Sequence, residues 1–362
     1  MKKKMIAILV LLTLFLIGWV GRMFWVASGK QPSGERLARC EQSPHWKDGK
    51  FQNEHYTPQL TGNDSPVQAL WKFLFKEIPN LKPTAGIPLV KVDLKTISRD
   101  EELCLWLGHS TIFIQTGKVR FLFDPVLTNE LPVWLFMRPF KGTDTYTPDD
   151  IPDIDCLVIT HDHWDHLDYS TVVALRSRVR AVICPLGVGE HFEYWGYDAE
   201  RIHELDWDDD FAVNPSLTLH CLPSRHFSGR LFGNGKTLWA SYLIDGPRRI
   251  FVSGDGGYDD RFARYGKAYP DIDLAIMENG QYDKGWRHIH VLPSELPQAI
   301  SDLAPRRVLT YHNSKYALAN HSWTEPLDSI YANAEGKSWQ LLTPRIGEAI
   351  QLDRQQSFDK WW

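Results

Sequence analysis

Residues 156–166 read Cys156-Leu157-Val158-Ile159-Thr160-His161-Asp162-His163-Trp164-Asp165-His166. The run from Cys156 to Ile159 is short, continuous, apolar and β-branched, the pattern of a buried strand. It stops abruptly at His161, His163, Asp165 and His166, which crowd three imidazoles and a carboxylate into six residues. A strand ending in such a cluster places several donor atoms at one sheet edge. Imidazole nitrogens and carboxylate oxygens suit zinc and related divalent ions. Surface histidines in a polar loop are the bland alternative, and the ordered spacing argues against it.

Working outward, three other apolar runs end in the same chemistry. Leu217 to Leu222 runs into Pro223-Ser224-Arg225-His226, Ile250 to Ser253 into Gly254-Asp255-Gly256-Gly257, and Arg307 to Thr310 into Tyr311-His312-Asn313. Taken singly, His226 or His312 reads as structural or surface, and Gly254-Asp255-Gly256 as a turn. Four strand ends with one chemistry form a joint signal, because strand ends on one rim converge. Elsewhere, Leu103–Leu107, Arg180–Cys184, Ala240–Ile244 and Leu274–Met277 read as strands, and Thr111–Gln115 with Val119–Phe123 as a hairpin. Ser170–Arg176, Ser294–Leu303 and Val67–Phe75 carry helical spacing. Strands and helices interleave without an internal repeat, which predicts an α/β fold of two sheets with helices outside.

The chain has 362 residues, formal charge −5 and 43% hydrophobic residues. That mild acidity offers no basic stripe for nucleic acid. The five cysteines show no Cys-x-x-Cys spacing, and Cys104, Cys156 and Cys221 fall inside apolar runs. They read as small buried hydrophobes rather than a disulfide framework.

Lys2, Lys3 and Lys4 precede an apolar run from Met5 to Val20, which resumes after Arg22. It is long enough to span a bilayer, with Arg22 snorkelling and Trp19, Phe24 and Trp25 in the interfacial belt. Residues 1–28 are thus a membrane anchor, or a signal segment with Val26-Ala27-Ser28 as the cleavage site. The lysine cluster leans toward a cytoplasmic N-terminus, hence a single-pass protein of a bacterial-type inner membrane with its body periplasmic. Residues 29–50 read as a linker, 51–350 as the main domain and 351–362 as a tail.

The set Thr160 to His166, His226, Asp255 and His312 resembles the metallo-β-lactamase superfamily. The resemblance implies an αββα sandwich with a dinuclear metal site on one edge. It implies that His161, His163 and His226 bind one metal, that Asp165, His166 and His312 bind a second, and that Asp255 bridges both. Two zinc ions are the expected cofactors, other divalent metals remaining open. Within the superfamily, Trp106-Leu107-Gly108-His109-Ser110-Thr111, Phe123-Asp124-Pro125 and Asp165-His166-Leu167-Asp168-Tyr169 resemble the N-acylphosphatidylethanolamine-hydrolysing phospholipase D branch. So do Gly49-Lys50-Phe51-Gln52-Asn53, Glu204-Leu205-Asp206-Trp207, Pro223-Ser224-Arg225-His226-Phe227, Gly254-Asp255-Gly256-Gly257-Tyr258 and Ala317-Leu318-Ala319-Asn320. The likeness covers roughly residues 48–345. It departs at Asn313-Ser314-Lys315-Tyr316, where the branch has Trp-Gly-Thr-Phe, and at Met277-Glu278-Asn279-Gly280, where the branch is more apolar.

The resemblance implies a hydrolase releasing N-acylethanolamine and phosphatidic acid from a membrane phospholipid, with Asp165, Asp255 and His290 as catalytic residues. His109, at a strand end on the proposed rim, is expected at the substrate or holding the sheet edge, and Tyr316 is expected at the substrate. So are Trp134 and Phe136, from the nearly continuous apolar segment Leu131–Phe140, which is expected to grip acyl chains or lipid. Asp162 lies inside the motif but outside the ligand pattern and is expected in solvent. The alternatives are a hydrolase of a soluble lactone, cyclic phosphodiester or other ester, and a non-catalytic, membrane-tethered metal-binding protein. A homodimer is left open.

Overall fold

Side chains along the strands alternate between two apolar environments with a period of two. In Leu103–Trp106, Cys104 and Trp106 enter one buried cluster, while Leu103 and Leu105 enter another. Likewise Phe121, Phe123, Cys156 and Val158 face the first cluster, and Leu122 and Leu157 the second. Both faces are apolar, which is why these runs read as continuous in sequence. In the computed structural model, which describes residues 2–62, 66–128, 137–230 and 233–362, the result is two seven-stranded sheets packed face to face. Helices Tyr169–Leu175 and Gly189–Tyr194 cover the outer face of the first sheet. Helices Arg261–Ala268 and Leu296–Leu303 cover that of the second. This is the expected αββα sandwich.

The first sheet runs in the order Ala349–Gln351, Leu103–Trp106, Ile112–Thr116, Val119–Phe123, Ile154–Val158, Val179–Pro185, Ile202–Leu205. The second runs Asp210–Asn214, Leu217–Pro223, Ala240–Asp245, Ile250–Val252, Leu274–Glu278, Arg307–Tyr311, Gln340–Leu342. Read in those orders, each sheet has three antiparallel pairings followed by three parallel ones. The two halves therefore share an architecture that no sequence repeat announces. In such sheets, ligands bind beyond the carboxyl ends of parallel strands, where Ile154–Val158, Ile250–Val252 and Arg307–Tyr311 deliver the motifs singled out above.

The segment 29–50 is not a free linker. It carries the helix Gly34–Gln42 and a two-stranded ribbon, Trp46–Lys47 with Lys50–Phe51. Cys40 and Phe51 are buried in the core between the sheets, and Arg36 pairs with Glu204 at 2.6 Å and Glu193 at 2.9 Å. Its polar composition reflects an amphipathic strap, one face of which is packed. The C-terminal residues also pack: Leu352 is buried, and the Trp361 indole donates to Pro344 O. All five cysteines are buried free thiols.

Helix Lys2–Ala27, 26 residues, is long and apolar enough to cross a membrane. Its side chains are exposed over most of its length, Val20, Met23, Phe24 and Val26 are half-buried, and Ala27 is buried against the domain. Trp134 and Phe136 lie outside the described residues. Of the same apolar segment, Met137 and Phe140 are buried in ordinary packing, Met137 beside Val126 and Tyr316.

Candidate metal centre

The loop after Ile154–Val158 brings His161, His163, Asp165 and His166 to the rim. His226, Asp255 and His312 arrive on the loops after Leu217–Pro223, Ile250–Val252 and Arg307–Tyr311. The donor atoms of His161, His163 and His226 lie within 4.8 Å of one another. His163 Nδ1 is 2.9 Å from His161 Nε2 and 3.2 Å from His226 Nε2. Beside them, His312 Nε2 lies 3.1 Å from His166 Nε2 and 3.2 Å from Asp165 Oδ2. Asp255 Oδ2 sits between the two groups, 3.2 Å from His166 Nε2, 3.3 Å from His312 Nε2, 3.8 Å from His161 Nε2 and 3.9 Å from His226 Nε2.

This arrangement fits divalent cations. His163 Nδ1 faces two other imidazole nitrogens, and at most one proton can lie between any pair. Four nitrogens about 2.0–2.1 Å from a tetrahedral ion are roughly 3.3 Å apart, close to the spacings found. Asp255 Oδ1 is buried without a hydrogen-bond partner among the described residues. In the first group of donors the protonation states agree, whereas Asp255, Asp165 and Asp124 outweigh burial at His166 and raise it well above the usual histidine range, so that a cation there must displace its proton. Burial, reinforced by the neighbouring imidazoles, holds His161 and His226 well below the usual histidine range, and burial also lowers His163. Neutral imidazole is the form that binds metal. Burial works against ionised Asp165 and Asp255, but the His166 cation outweighs it, and both carboxyls are held well below the usual range.

Other residues orient these donors. Asp124 Oδ2 accepts from His166 Nδ1 at 2.8 Å and from the Thr160 hydroxyl at 2.6 Å, and Asp124 Oδ1 accepts from Thr160 N at 2.7 Å. Because the Thr160 hydroxyl donates to Asp124, it accepts from His161 Nδ1 at 3.0 Å. His226 Nδ1 donates to Ile289 O at 2.8 Å. Each bond fixes the tautomer that leaves Nε2 for the centre. Asn53, just after the strap, clamps the His226 backbone through both its N–H and its carbonyl. Backbone strain gathers here too: His109, Asp124, Gln281, His312 and Ser314 all have positive φ. Such residues persist only where surrounding packing over-determines them. Gly254, at φ +59°, turns the chain so that Asp255 points inward, and a Cβ there would come within 2.6 Å of Ala240 O.

A cavity of about 420 Å³ opens onto the centre, lined by His163, Asp165, Asp255, His290 and His312 together with apolar Leu60, Phe227, Trp286, Ile289 and Leu318. His290 Nδ1 is hydrogen-bonded to the buried Glu278 carboxylate, whose other oxygen accepts from Gly256 N at 2.8 Å. Burial opposes the charge on His290, but Glu278 outweighs it and raises His290 to about 8.

Three expectations are corrected. His109 is fully buried and does not line the cavity. Its Nε2 donates to Asp165 Oδ2 at 2.9 Å, so it orients a donor rather than meeting substrate. Tyr316 is buried behind it, edge-on to the His109 ring. Asp162 is not in solvent but fully buried. It accepts from Gly229 N at 2.7 Å, the Thr237 hydroxyl at 2.9 Å and His191 Nε2 at 3.2 Å. Asp124 and Glu278 were missed as site residues, although each is the acidic group at a strand's carboxyl end. The rule that picked out Asp255 points to them as well.

Residues 119–313 match the β-lactamase superfamily domain. The chain is 33% identical over 338 residues to an uncharacterized protein of Mycobacterium tuberculosis, covering 90% of this chain and 89% of that protein. It is 28% identical over 267 residues to N-acyl-phosphatidylethanolamine-hydrolyzing phospholipase D 1 of Caenorhabditis elegans, covering 67% of this chain and 74% of that protein. Among solved structures, the diiron β-hydroxylase CmlA of Streptomyces venezuelae superposes with a TM-score of 0.54 at 18% identity, over 69% of this chain and 54% of that one. That last likeness shows the fold alone.

Proposed function

The chain belongs to the metallo-β-lactamase superfamily, and on that premise we propose a membrane-held phosphodiesterase of phospholipase D type. Its substrate is N-acylphosphatidylethanolamine and its products are N-acylethanolamine and phosphatidic acid. The observation that carries this reading is the convergence of seven His and Asp donors on a cavity whose remaining walls are largely apolar. A phosphodiester beside long acyl chains matches that division of chemistry. The 28% identical phospholipase D of Caenorhabditis elegans supports the choice of substrate, and the apolar N-terminal helix would keep the enzyme at its lipid.

In this reading His161, His163 and His226 would hold one cation, Asp165, His166 and His312 would hold a second, and Asp255 would contribute to both. Two bound divalent cations, assigned here as zinc, supply Lewis acidity and a water that ionises near neutral pH. The protein does the rest. Asp124, Thr160, His109 and the Ile289 carbonyl fix donor orientation. Leu60, Phe227, Trp286, Ile289 and Leu318 exclude water around the acyl region. Attack of water oxygen on phosphorus breaks the bond to the ethanolamine oxygen, and that oxygen needs a proton to leave. His290 is the group placed to give it. Glu278 occupies its Nδ1, so Nε2 is the ring atom left for substrate.

Glu278→Gln is accordingly expected to lower kcat by about 10²-fold, the scale of general-acid catalysis, while metal content stays at the wild-type level. Metal analysis beside steady-state kinetics checks this, and unchanged kcat would remove His290 from the chemistry. The substrate itself is tested by following N-acylethanolamine release from N-acylphosphatidylethanolamine in mixed micelles, with bis-p-nitrophenyl phosphate as the small control. Cleavage of the small diester without release from the lipid would keep a metallohydrolase and discard this substrate.

A further inference from the structure

The membrane helix does not end in open solvent. The carbonyl of Val26 accepts from Trp195 Nε1 at 2.8 Å, and the carbonyl of Ala27 accepts from Arg230 Nη2 at 2.8 Å. Three residues on, Lys30 N donates to His191 Nδ1 at 3.0 Å. Ala27 and His191 are fully buried, and Arg230 is nearly so. The same side chains that grip this segment also grip the loop carrying the metal donors. Arg230 Nη1 donates to Asp162 O at 2.9 Å and to Leu167 O at 2.8 Å, and its guanidinium stacks on the Trp164 ring at 3.8 Å. Because His191 Nδ1 accepts from Lys30 N, its Nε2 carries the proton that goes to Asp162 Oδ2. Asp162 stands between His161 and His163, and Leu167 follows His166.

We propose that the juxtamembrane segment Val26–Lys30 is a working part of the metal centre, with Arg230 and His191 as positioning residues that tie it to the donor loop His161–His166. The inference rests on the ligand assignment above and goes beyond it. Orientation of a metal ligand by a group that does not touch the metal changes affinity by about 10–100-fold. Here two such groups are themselves held by the chain as it leaves the membrane. The helix must then stay attached. Cleavage after Ala27 would strip the Arg230 and Trp195 donors of carbonyls they are built to meet, and unpaired buried donors are unfavourable.

Gly29 provides a probe that touches no donor. Its φ is +72°, and a Cβ on it would overlap the His191 ring, so Gly29→Ala must push the segment off its seat. Gly336 has the same φ of +72° with nothing within 4 Å, so Gly336→Ala imposes the backbone strain without the displacement. Full-length protein in detergent micelles is loaded with zinc and challenged with excess chelator, and metal release is timed. Gly29→Ala and Arg230→Met are expected to release zinc at least about 10-fold faster than wild type. Arg230→Lys should recover part of the loss, and Gly336→Ala should match wild type. Wild-type release rates in Gly29→Ala would overturn the proposal, as would equal acceleration in Gly336→Ala, which would indicate general loosening. Should Arg230→Met fail to fold, Gly29→Ala still decides. A mature chain starting at Ser28, found by intact mass of membrane-extracted protein, would also overturn it. A wild type that binds no metal would instead bring down the ligand assignment, and this inference with it.

Discussion

Asp255→Asn is expected to reduce turnover of any phosphodiester by at least about 10³-fold, equivalent to about 4 kcal/mol of transition-state stabilisation, and to reduce bound metal by about half. Asp255 Oδ2 lies 3.2–3.9 Å from imidazole nitrogens of both donor groups. No other carboxylate oxygen among the described residues reaches both. In the proposed assignment its negative charge would balance two cations at a buried rim. Asparagine keeps the size of the side chain, so the loss reports charge and ligation rather than packing. Kinetics on bis-p-nitrophenyl phosphate and elemental analysis check the two halves separately. A variant that keeps full metal content and turns over within about threefold of wild type would contradict the bridging role.

Asp124→Ala is expected to have the second-largest effect, through a residue that touches no metal. Its buried carboxylate holds His166 Nδ1, the Thr160 hydroxyl and Thr160 N at 2.6–2.8 Å. Removing one partner of a buried charged pair is unfavourable by about 3–5 kcal/mol. It would also release His166 Nδ1, whose bond to Asp124 keeps Nε2 for the centre. Metal affinity should fall by about 10–100-fold. Asp124 also has φ +41°, a conformation that asparagine tolerates and alanine does not. Asp124→Asn should therefore unfold at a higher temperature than Asp124→Ala while still binding metal more weakly than wild type. Thermal unfolding and metal titration of both variants give the comparison. Equal metal affinity in all three proteins would leave Asp124 a purely structural residue.

The central strands were legible because each is buried on both faces and reads as an unbroken apolar run. Within the two large sheets, the four strands not foreseen, Ile202–Leu205, Asp210–Asn214, Gln340–Leu342 and Ala349–Gln351, are the edges. Edge strands are short and partly solvated, so His203, Asp210 and Gln340 interrupt any apolar pattern. The donor set was legible for a different reason: every member sits just past the carboxyl end of a strand. Its supports were harder to see. Asp124 and Glu278 obey the same positional rule, but neither falls in a histidine motif. Asp162 was misplaced because Gly229, Thr237 and His191, which bury and satisfy it, are distant in sequence. His109 follows a strand end, yet its direction, inward to Asp165, is a property of its positive φ and of packing. The strap at 29–50 looked like a linker because composition cannot tell a solvated polar segment from an amphipathic one docked by a few side chains such as Arg36 and Cys40.

The most direct test of the account is hydrolysis of N-acylphosphatidylethanolamine vesicles by the purified full-length protein with zinc, wild type beside Asp255→Asn. Release of N-acylethanolamine and phosphatidic acid by wild type alone is the predicted result. No release from the lipid by a wild type that carries its metals and still cleaves bis-p-nitrophenyl phosphate would contradict the phospholipase reading.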